Sequence, residues 1–134
     1  MIKMELLKEK RVRDVMTRGV ISVSFDTSVS EIAKLLVKED VSGIAVTAPD
    51  DEVVGVISEI DLIKVFDKDW NTLTAEDVMS TFVRAIDPET TIKKAADIMR
   101  DLNIHRLLIL SVSPAPGIPI AILTASDILR ASVE

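Results

Sequence analysis

Asp14–Thr17, with the sequence Asp-Val-Met-Thr, recurs 63 positions later as Asp77–Ser80, with the sequence Asp-Val-Met-Ser. The same spacing relates a series of apolar positions further along the chain. These pairs are Val29 and Ile92, Ala33 and Ala96, Leu36 and Met99, Val41 and Ile104, Ile44 and Leu107, and Val46 and Ile109. The spacing then grows by three residues across Ser111–Pro119, whose three prolines and one glycine are typical of a loop. The chain is therefore an internal duplication.

Each repeat predicts the element order β-α-β-β-α. In the first repeat, apolar residues at helical spacing predict a helix over Ser28–Glu39, with Ser28 as its N-cap and Glu31 as the capping-box partner. The other elements are apolar runs bounded by turn residues. They are strands Val20–Ser24, Gly43–Thr47 and Val53–Ile57, helix Glu59–Phe66, strand Val83–Ile86, helix Thr91–Leu102, strands Arg106–Leu110 and Ile118–Leu123, and helix Ala125–Ala131.

The two strands that follow the long helix of each repeat are joined by a turn into a hairpin. They are continuously apolar, which indicates that they are covered on both faces. One repeat of this size is marginal by itself, whereas two repeats can bury each other's apolar surfaces. We therefore expect one α/β (α+β) module of two repeats related by a pseudo-twofold axis. The repeats are expected at residues 11–66 and 74–132, after a helical extension at residues 1–10.

The composition excludes several classes of function. A net charge of −6 with no basic stripe argues against nucleic-acid binding. With no cysteine and a single histidine, His105, the chain has no disulfide, no thiol catalysis and no multi-histidine metal site. A charged N-terminus and the lack of a long apolar run predict a cytoplasmic protein without signal peptide or membrane span. The scarcity of asparagine and the absence of glutamine favour a thermophilic source.

A hydroxyl residue at the end of a strand, followed three positions later by an aspartate, occurs in both repeats. The two elements are Ser58 with Asp61 and Thr124 with Asp127. One interpretation is a capping box, in which the hydroxyl caps the next helix and the aspartate accepts the N–H of the cap residue. The other is a nucleotide site, in which the helix start and the hydroxyl hold a phosphate while the carboxylate accepts ribose hydroxyls. Duplication copies caps and sites alike, so the repeat fits both.

Taken together, these features resemble the CBS domain family. The resemblance rests on the two Asp-Val-Met openings, the strand starts Val41–Ile44 and Ile104–Leu107, and the two hydroxyl-x-x-Asp elements, and it covers about residues 11–132. It implies a tandem CBS pair, or Bateman module, with two clefts, each taking its hydroxyl-x-x-Asp element from one motif and its strand start from the other. It also implies an adenosyl ligand such as AMP, ADP, ATP or S-adenosylmethionine, with no metal and no further cofactor.

By the same resemblance, the hydroxyl in each cleft would contact phosphate and the aspartate would hold the ribose. His105 and Arg106 are similar to a phosphate-contacting pair in the gamma subunit of AMP-activated kinase. The expected residues are Ile21, Val41, Ser42, Gly43, Ile122, Thr124 and Asp127 in one cleft, and Arg84, Ile104, His105, Arg106, Ser58 and Asp61 in the other. The cleft of Thr124 and Asp127 is expected to be the better formed, because Arg84 is long where the family has a small or apolar residue.

The favoured function is a stand-alone regulatory module that senses an adenosyl ligand and modulates a separate, unidentified protein. The alternative is an interaction protein with vestigial clefts. Enzyme activity is not expected, because the chain has neither a P-loop nor a glycine-rich dinucleotide turn. Apolar residues of the last helix of each repeat predict a homodimer face. They are Leu62, Ile63, Val65, Phe66, Ile128 and Leu129.

Overall fold

The structure is a computed structural model and describes residues 2–41, 43–81, 83–110 and 118–133, the side chains of residues 2–4 and 18 excepted. The helices are α1 Ile2–Glu9, α2 Val29–Glu39, α3 Glu59–Ile63, α4 Ala75–Val78, α5 Ile92–Leu102 and α6 Ala125–Val133. The strands are β1 Thr17–Arg18, β2 Ser22–Ser24, β3 Gly43–Thr47, β4 Val53–Ser58, β5 Ala85–Ile86, β6 Arg106–Leu110 and β7 Pro119–Thr124. The chain divides into a central unit, Ile21–Val83, and a terminal unit that combines Met1–Val20 with Arg84–Glu134.

Each unit is built on an antiparallel hairpin with a parallel strand beside it. In the central unit the strand order is β2-β3-β4, with β2 parallel to β3 and β3 antiparallel to β4. In the terminal unit the order is β1-β7-β6-β5, with β5 parallel to β6 and the other pairs antiparallel. Helices α2 and α5 provide the long connections that parallel pairs require. The predicted α+β fold of two β-α-β-β-α repeats is confirmed.

The opening of each repeat is the segment that ends with its Asp-Val-Met motif, residues 10–17 in the first repeat and 73–80 in the second, and the remainder of the repeat is its body. In the terminal unit, the opening of the first repeat is hydrogen-bonded to the body of the second. The N–H of Val12 donates to the carbonyl of Thr90 at 2.8 Å, and the N–H of Ile92 donates to the carbonyl of Lys10 at 2.8 Å. Val12 is fully buried in the core of this unit. The start of α5 is therefore fixed by residues about 80 positions earlier in the chain.

The central unit contains the equivalent bonds, in which each residue is replaced by its counterpart in the other repeat, 63 positions away. Here the N–H of Ala75 donates to the carbonyl of Thr27 at 2.8 Å, and the N–H of Val29 donates to the carbonyl of Leu73 at 2.9 Å. Ala75 is fully buried, as Val12 is in the terminal unit. Each unit thus holds the body of one repeat and the opening of the other, so that the two openings are reciprocally exchanged.

In each unit the exchanged opening also pairs, through its last residues, with the edge of the sheet. Thr17 of β1 pairs with Ile122 of β7 in the terminal unit, and Ser80 forms the corresponding bridge to Val56 in the central unit. The approach is close, because a Cβ built on Gly55 would lie 2.9 Å from the carbonyl oxygen of Ser80. Only glycine leaves room for that backbone contact at this position. Strand β1 was not predicted, since two residues at a sheet edge carry no periodic signal.

Equivalent turns end the two long helices and begin the strands that follow. Ser28 accepts the N–H of Glu31 at 3.2 Å, which confirms it as the N-cap of α2. Asp40 and Asn103 end α2 and α5 with φ of 52° in both cases, and short polar side chains tolerate this left-handed conformation. These turns place Val41 and Ile104 immediately before β3 and β6.

The burial pattern separates the two strands of each hairpin. The middle three residues of β3 and of β6 are all buried, as expected for strands covered on both faces. In β4 and β7 buried and partly exposed residues alternate towards the carboxyl end, so that expectation was wrong for these strands, which have one open face. The predicted helix Glu59–Phe66 was also too long, because the N–H groups of Val65 and Phe66 donate to carbonyls only three residues back, those of Leu62 and Ile63, and the chain turns there.

Each unit has its own aliphatic core, and the exchanged openings contribute to both. The core of the central unit includes Leu62, which is 4% exposed; its prediction as a dimer-face residue was therefore wrong, because the side chain packs inward. Among the described residues, no helix combines the length and apolar character needed to cross a bilayer.

The exchange predicts that Val12, although it lies in the opening of the first repeat, stabilises the core of the second. Val12→Ala should lower the free energy of unfolding by about 2 kcal/mol, since it removes two fully buried methyl groups. Urea denaturation measures this loss. The matched control is Val37→Ala on α2, where the side chain is 83% exposed and the same change should be nearly neutral. Equal effects of the two substitutions would contradict the exchange.

Candidate functional site

The residues expected in the clefts are distributed over both units, and each half-site is described separately. The central half-site contains Ile21, Val41, Gly43, Ser58 and Asp61. The terminal half-site contains Arg84, Ile104, His105, Arg106, Ile122, Thr124 and Asp127. Ser42, also expected here, lies outside the described residues.

The central half-site lies at one end of the sheet of its unit. Gly43 at the start of β3 is the cross-strand partner of Ser58 at the end of β4. The N–H of Ala45 donates to the carbonyl of Ile21 at 3.0 Å, which holds Ile21 beside the same end of β3. Ile21 and Val41 are half-buried, so the sheet end presents apolar surface next to a hydroxyl.

The terminal half-site repeats this arrangement with charged residues. Arg106 at the start of β6 is the partner of Thr124 at the end of β7. The N–H of Leu108 donates to the carbonyl of Arg84 at 3.0 Å, as Ala45 does to Ile21 in the other unit. Arg84 and His105 are exposed and Arg106 is half-buried. This half-site therefore presents positive charge beside a hydroxyl, in a chain of net charge −6.

The carboxylate of Asp61 caps α3 with one oxygen only. Its Oδ2 accepts the N–H of Ser58 at 2.8 Å and the hydroxyl of Ser58 at 3.1 Å. Its Oδ1 has no hydrogen-bond or ion-pair partner among the described residues. The side chain is half-buried and lines a cavity of about 340 Å³ within the central unit, together with Lys64. An acceptor oxygen thus remains available after capping.

The carboxylate of Asp127 uses both oxygens. Its Oδ2 accepts the N–H of Thr124 at 2.9 Å, and its own N–H donates to the hydroxyl of Thr124 at 3.1 Å, which completes a capping box at α6. Its Oδ1 accepts the guanidinium of Arg130 at 2.8 Å and the hydroxyl of Thr17 at 3.4 Å. Asp127 is only 7% exposed.

The capping interpretation of both hydroxyl-x-x-Asp elements is confirmed by these bonds. Ribose binding stays a prediction, and it depends on the carboxylate oxygen that capping leaves available. The first amide of α6 is also occupied, because the N–H of Ala125 donates to the carbonyl of His105 at 2.9 Å. Few free amides thus remain at this helix start for a phosphate.

The same capping device explains the two Asp-Val-Met openings, whose aspartates had no assigned role. Asp14 accepts the N–H of Arg11 at 3.1 Å, and Asp77 accepts the N–H of Thr74 at 2.8 Å. The signal was present in the sequence as Thr74-x-x-Asp77, which has the same spacing as Ser58 and Asp61. These aspartates stabilise the exchanged segments.

The sequence profile of the CBS domain matches residues 12–68 and 75–134. The chain belongs to the CBS domain family. A curated relative, the inosine-5′-monophosphate dehydrogenase of Nitrosopumilus maritimus, is 30% identical over 92% of this chain, yet the match spans only 25% of that enzyme. An uncharacterised protein of Methanocaldococcus jannaschii is 30% identical over 85% of this chain, a match that spans 62% of the relative.

Solved structures of CBS pairs share the fold. CBSX2 in complex with AMP superposes with a TM-score of 0.76 at 25% identity, over 92% of this chain and 96% of that one. The CBS domain pair of MJ0100, in complex with 5′-methylthioadenosine and S-adenosylmethionine, gives a TM-score of 0.79 at 23% identity, over 90% and 94% of the two chains. The tandem CBS architecture predicted from the sequence is confirmed.

The bonds around the two aspartates predict unequal costs of truncation. Asp127→Ala should lower the free energy of unfolding by about 2 kcal/mol, because it removes a cap, a buried acceptor and the partner of Arg130. Asp61→Ala removes only a cap and should cost about 1 kcal/mol. Thermal and urea unfolding of the two variants measure the difference. A larger loss for Asp61→Ala would contradict this assignment of bonds.

Proposed function

We propose that this CBS pair is a regulatory module that binds an adenosyl ligand, either a nucleotide (AMP, ADP or ATP) or S-adenosylmethionine, and modulates a separate protein. The observation that carries the proposal is the carboxylate of Asp61, which caps its own helix through Oδ2, lines a cavity, and has no partner for Oδ1 among the described residues. Membership of the family and the AMP complex of a relative at 25% identity support the adenosyl class of ligand.

A ribose suits this carboxylate chemically. Its two adjacent hydroxyls are donors, and an ionised carboxylate oxygen accepts hydrogen bonds that are about twice as strong as neutral ones. The capping bonds fix the orientation of Asp61 before any ligand arrives, so little side-chain entropy is lost on binding. A preoriented acceptor of this kind selects a sugar over a plain hydrocarbon.

The phosphate would be held mainly by side chains. In the terminal half-site Arg106 is the cross-strand partner of Thr124, and Arg84 lies on the neighbouring strand segment. The guanidinium fork matches phosphate oxygens in geometry. Arginine recognition fits the structure better than a free helix start, because Ala125 and Asp127 of α6 already use their N–H groups.

The adenine would contact the half-buried aliphatic residues at the two sheet ends. Ile21 and Val41 provide this surface in the central half-site, and Ile104 and Ile122 provide it in the terminal half-site. Small-molecule sites are largely apolar with a few fixed polar groups, and this composition meets that description. The pairing of half-sites into two clefts stays a prediction.

A regulatory role requires that the ligand bind two states of the module with different affinity. The likeness to the dehydrogenase extends over a quarter of that enzyme and does not bring its catalytic activity to this chain. A sensor acts through a partner, and we propose a separate effector protein. The second candidate, an interaction protein with unoccupied clefts, shares the dimer face proposed next.

We also propose a homodimer to which each unit contributes exposed apolar side chains, from α3 and the turn after it in the central unit and from α6 in the terminal unit. This dimer face consists of exposed apolar side chains, and exposed surface of this kind marks protein contacts. Its members are Ile60, Ile63, Phe66, Leu129 and Val133, with exposures between 57% and 84%. Of the residues expected from the sequence, Ile63, Phe66 and Leu129 remain in this set.

The ligand proposal predicts that Asp61→Asn weakens the binding of AMP at least tenfold, about 1.4 kcal/mol, because an amide replaces the charged acceptor of the ribose while its oxygen can still cap α3. Isothermal titration calorimetry of the full chain measures the affinity. The matched control is Asp14→Asn, which alters an equivalent capping carboxylate outside the half-sites and outside the cavity of Asp61, and should leave binding unchanged. Undiminished binding by Asp61→Asn would remove this carboxylate from the site.

The dimer proposal predicts that Phe66→Lys shifts the protein towards the monomer, because a charge enters an apolar contact. Sedimentation velocity at several concentrations measures the shift. The control is Val37→Lys, which adds the same charge to an exposed apolar position on α2. A wild-type protein that sediments as a monomer, or a variant that remains dimeric, would contradict the proposed face.

A further inference from the structure

We infer that the two candidate ribose carboxylates differ in their availability to a ligand. Arg130 forms an ion pair with Asp127, called the latch below, that a ribose has to displace, so that an adenosyl ligand occupies the site of Asp61 first. This inference rests on the proposed function and assigns an order of binding within it. It reverses the preference for Thr124 and Asp127 that the sequence suggested.

The latch is an ion pair one turn along α6. A guanidinium nitrogen of Arg130 lies 2.8 Å from Oδ1 of Asp127, the oxygen that does not cap the helix. The hydroxyl of Thr17 reaches the same oxygen at 3.4 Å. In the corresponding position of the central unit, three residues after Asp61, the chain has Lys64, which forms no ion pair with Asp61 among the described contacts. The two aspartates thus differ in the residue one turn along the helix, arginine against lysine, and Asp127 has the hydroxyl of Thr17 in addition.

A ribose that binds Oδ1 of Asp127 must replace Arg130, whereas a ribose that binds Oδ1 of Asp61 displaces no group of the described residues. The replacement is possible, because the side chain of Arg130 is 64% exposed and can move into solvent without disturbing α6. It has a cost, because the ion pair and its charge-assisted hydrogen bond are lost. Pairs with one exposed partner are modest, so we expect the latch to weaken binding at Asp127 about threefold to fivefold.

The difference between arginine and lysine has a physical basis. The planar guanidinium offers several donors in a fixed arrangement and reaches a carboxylate one turn away at 2.8 Å. The ammonium of lysine is more strongly hydrated and remains in solvent at little cost. Exchange of the two residues should therefore move the latch from one unit to the other.

The test uses the full chain and isothermal titration with AMP in backgrounds that isolate one carboxylate. In Asp61→Asn, where Asp127 is the remaining ribose acceptor, the added change Arg130→Lys should tighten binding about threefold to fivefold. In Asp127→Asn, where Asp61 remains, Lys64→Arg should weaken binding by a similar factor. Unchanged or weaker binding after Arg130→Lys would overturn the latch.

Two controls separate this inference from its alternatives. The titration is repeated with 5′-methylthioadenosine, which carries the ribose without a phosphate, and the same gain is expected. A gain confined to AMP would place Arg130 against the phosphate and overturn the ribose latch. If the wild-type chain binds neither compound nor ATP or S-adenosylmethionine, the proposed function itself fails; binding by the wild type with no effect of either exchange overturns the latch alone.

Discussion

The reciprocal exchange of the two openings is the constraint on which the rest of the structure depends. Residues 10–13 hydrogen-bond to the body of the second repeat as residues 73–76 do to the body of the first, through the same backbone groups. Neither repeat has a complete core without the opening of the other, because Val12 and Ala75 are each fully buried in the unit of the opposite repeat. A duplicated chain of this kind is stable as a pair because each half fills a gap in the other.

The capping aspartates connect this architecture to function. Asp14 and Asp77 stabilise the exchanged segments, and Asp61 and Asp127 use the same geometry at the helices that follow each hairpin. A carboxylate has two oxygens, and a cap needs only one. What a given aspartate can do for a ligand is therefore decided by the partner of its second oxygen, and in α6 that partner is Arg130.

Much of the fold followed from local patterns, since the bounds of β3 and β6, the helices α2 and α5 and the cap at Ser28 are set by residues close in sequence. The predictions that were wrong or missing have causes in residues distant in sequence. The short strand β1 exists because Ile122 lies beside it. Leu62 was assigned to a surface because its apolar neighbours gave no indication of which side faces the core.

The sequence by itself determined that this chain is a duplication, that each copy is β-α-β-β-α, and that a hydroxyl and an aspartate begin each closing helix, because spacing and composition are properties of the chain alone. Only the tertiary structure decided which copy each opening completes and which carboxylate oxygen remains available. Those outcomes depend on contacts between residues up to 110 positions apart, such as Thr17 with Asp127, and no periodicity in the sequence encodes such contacts.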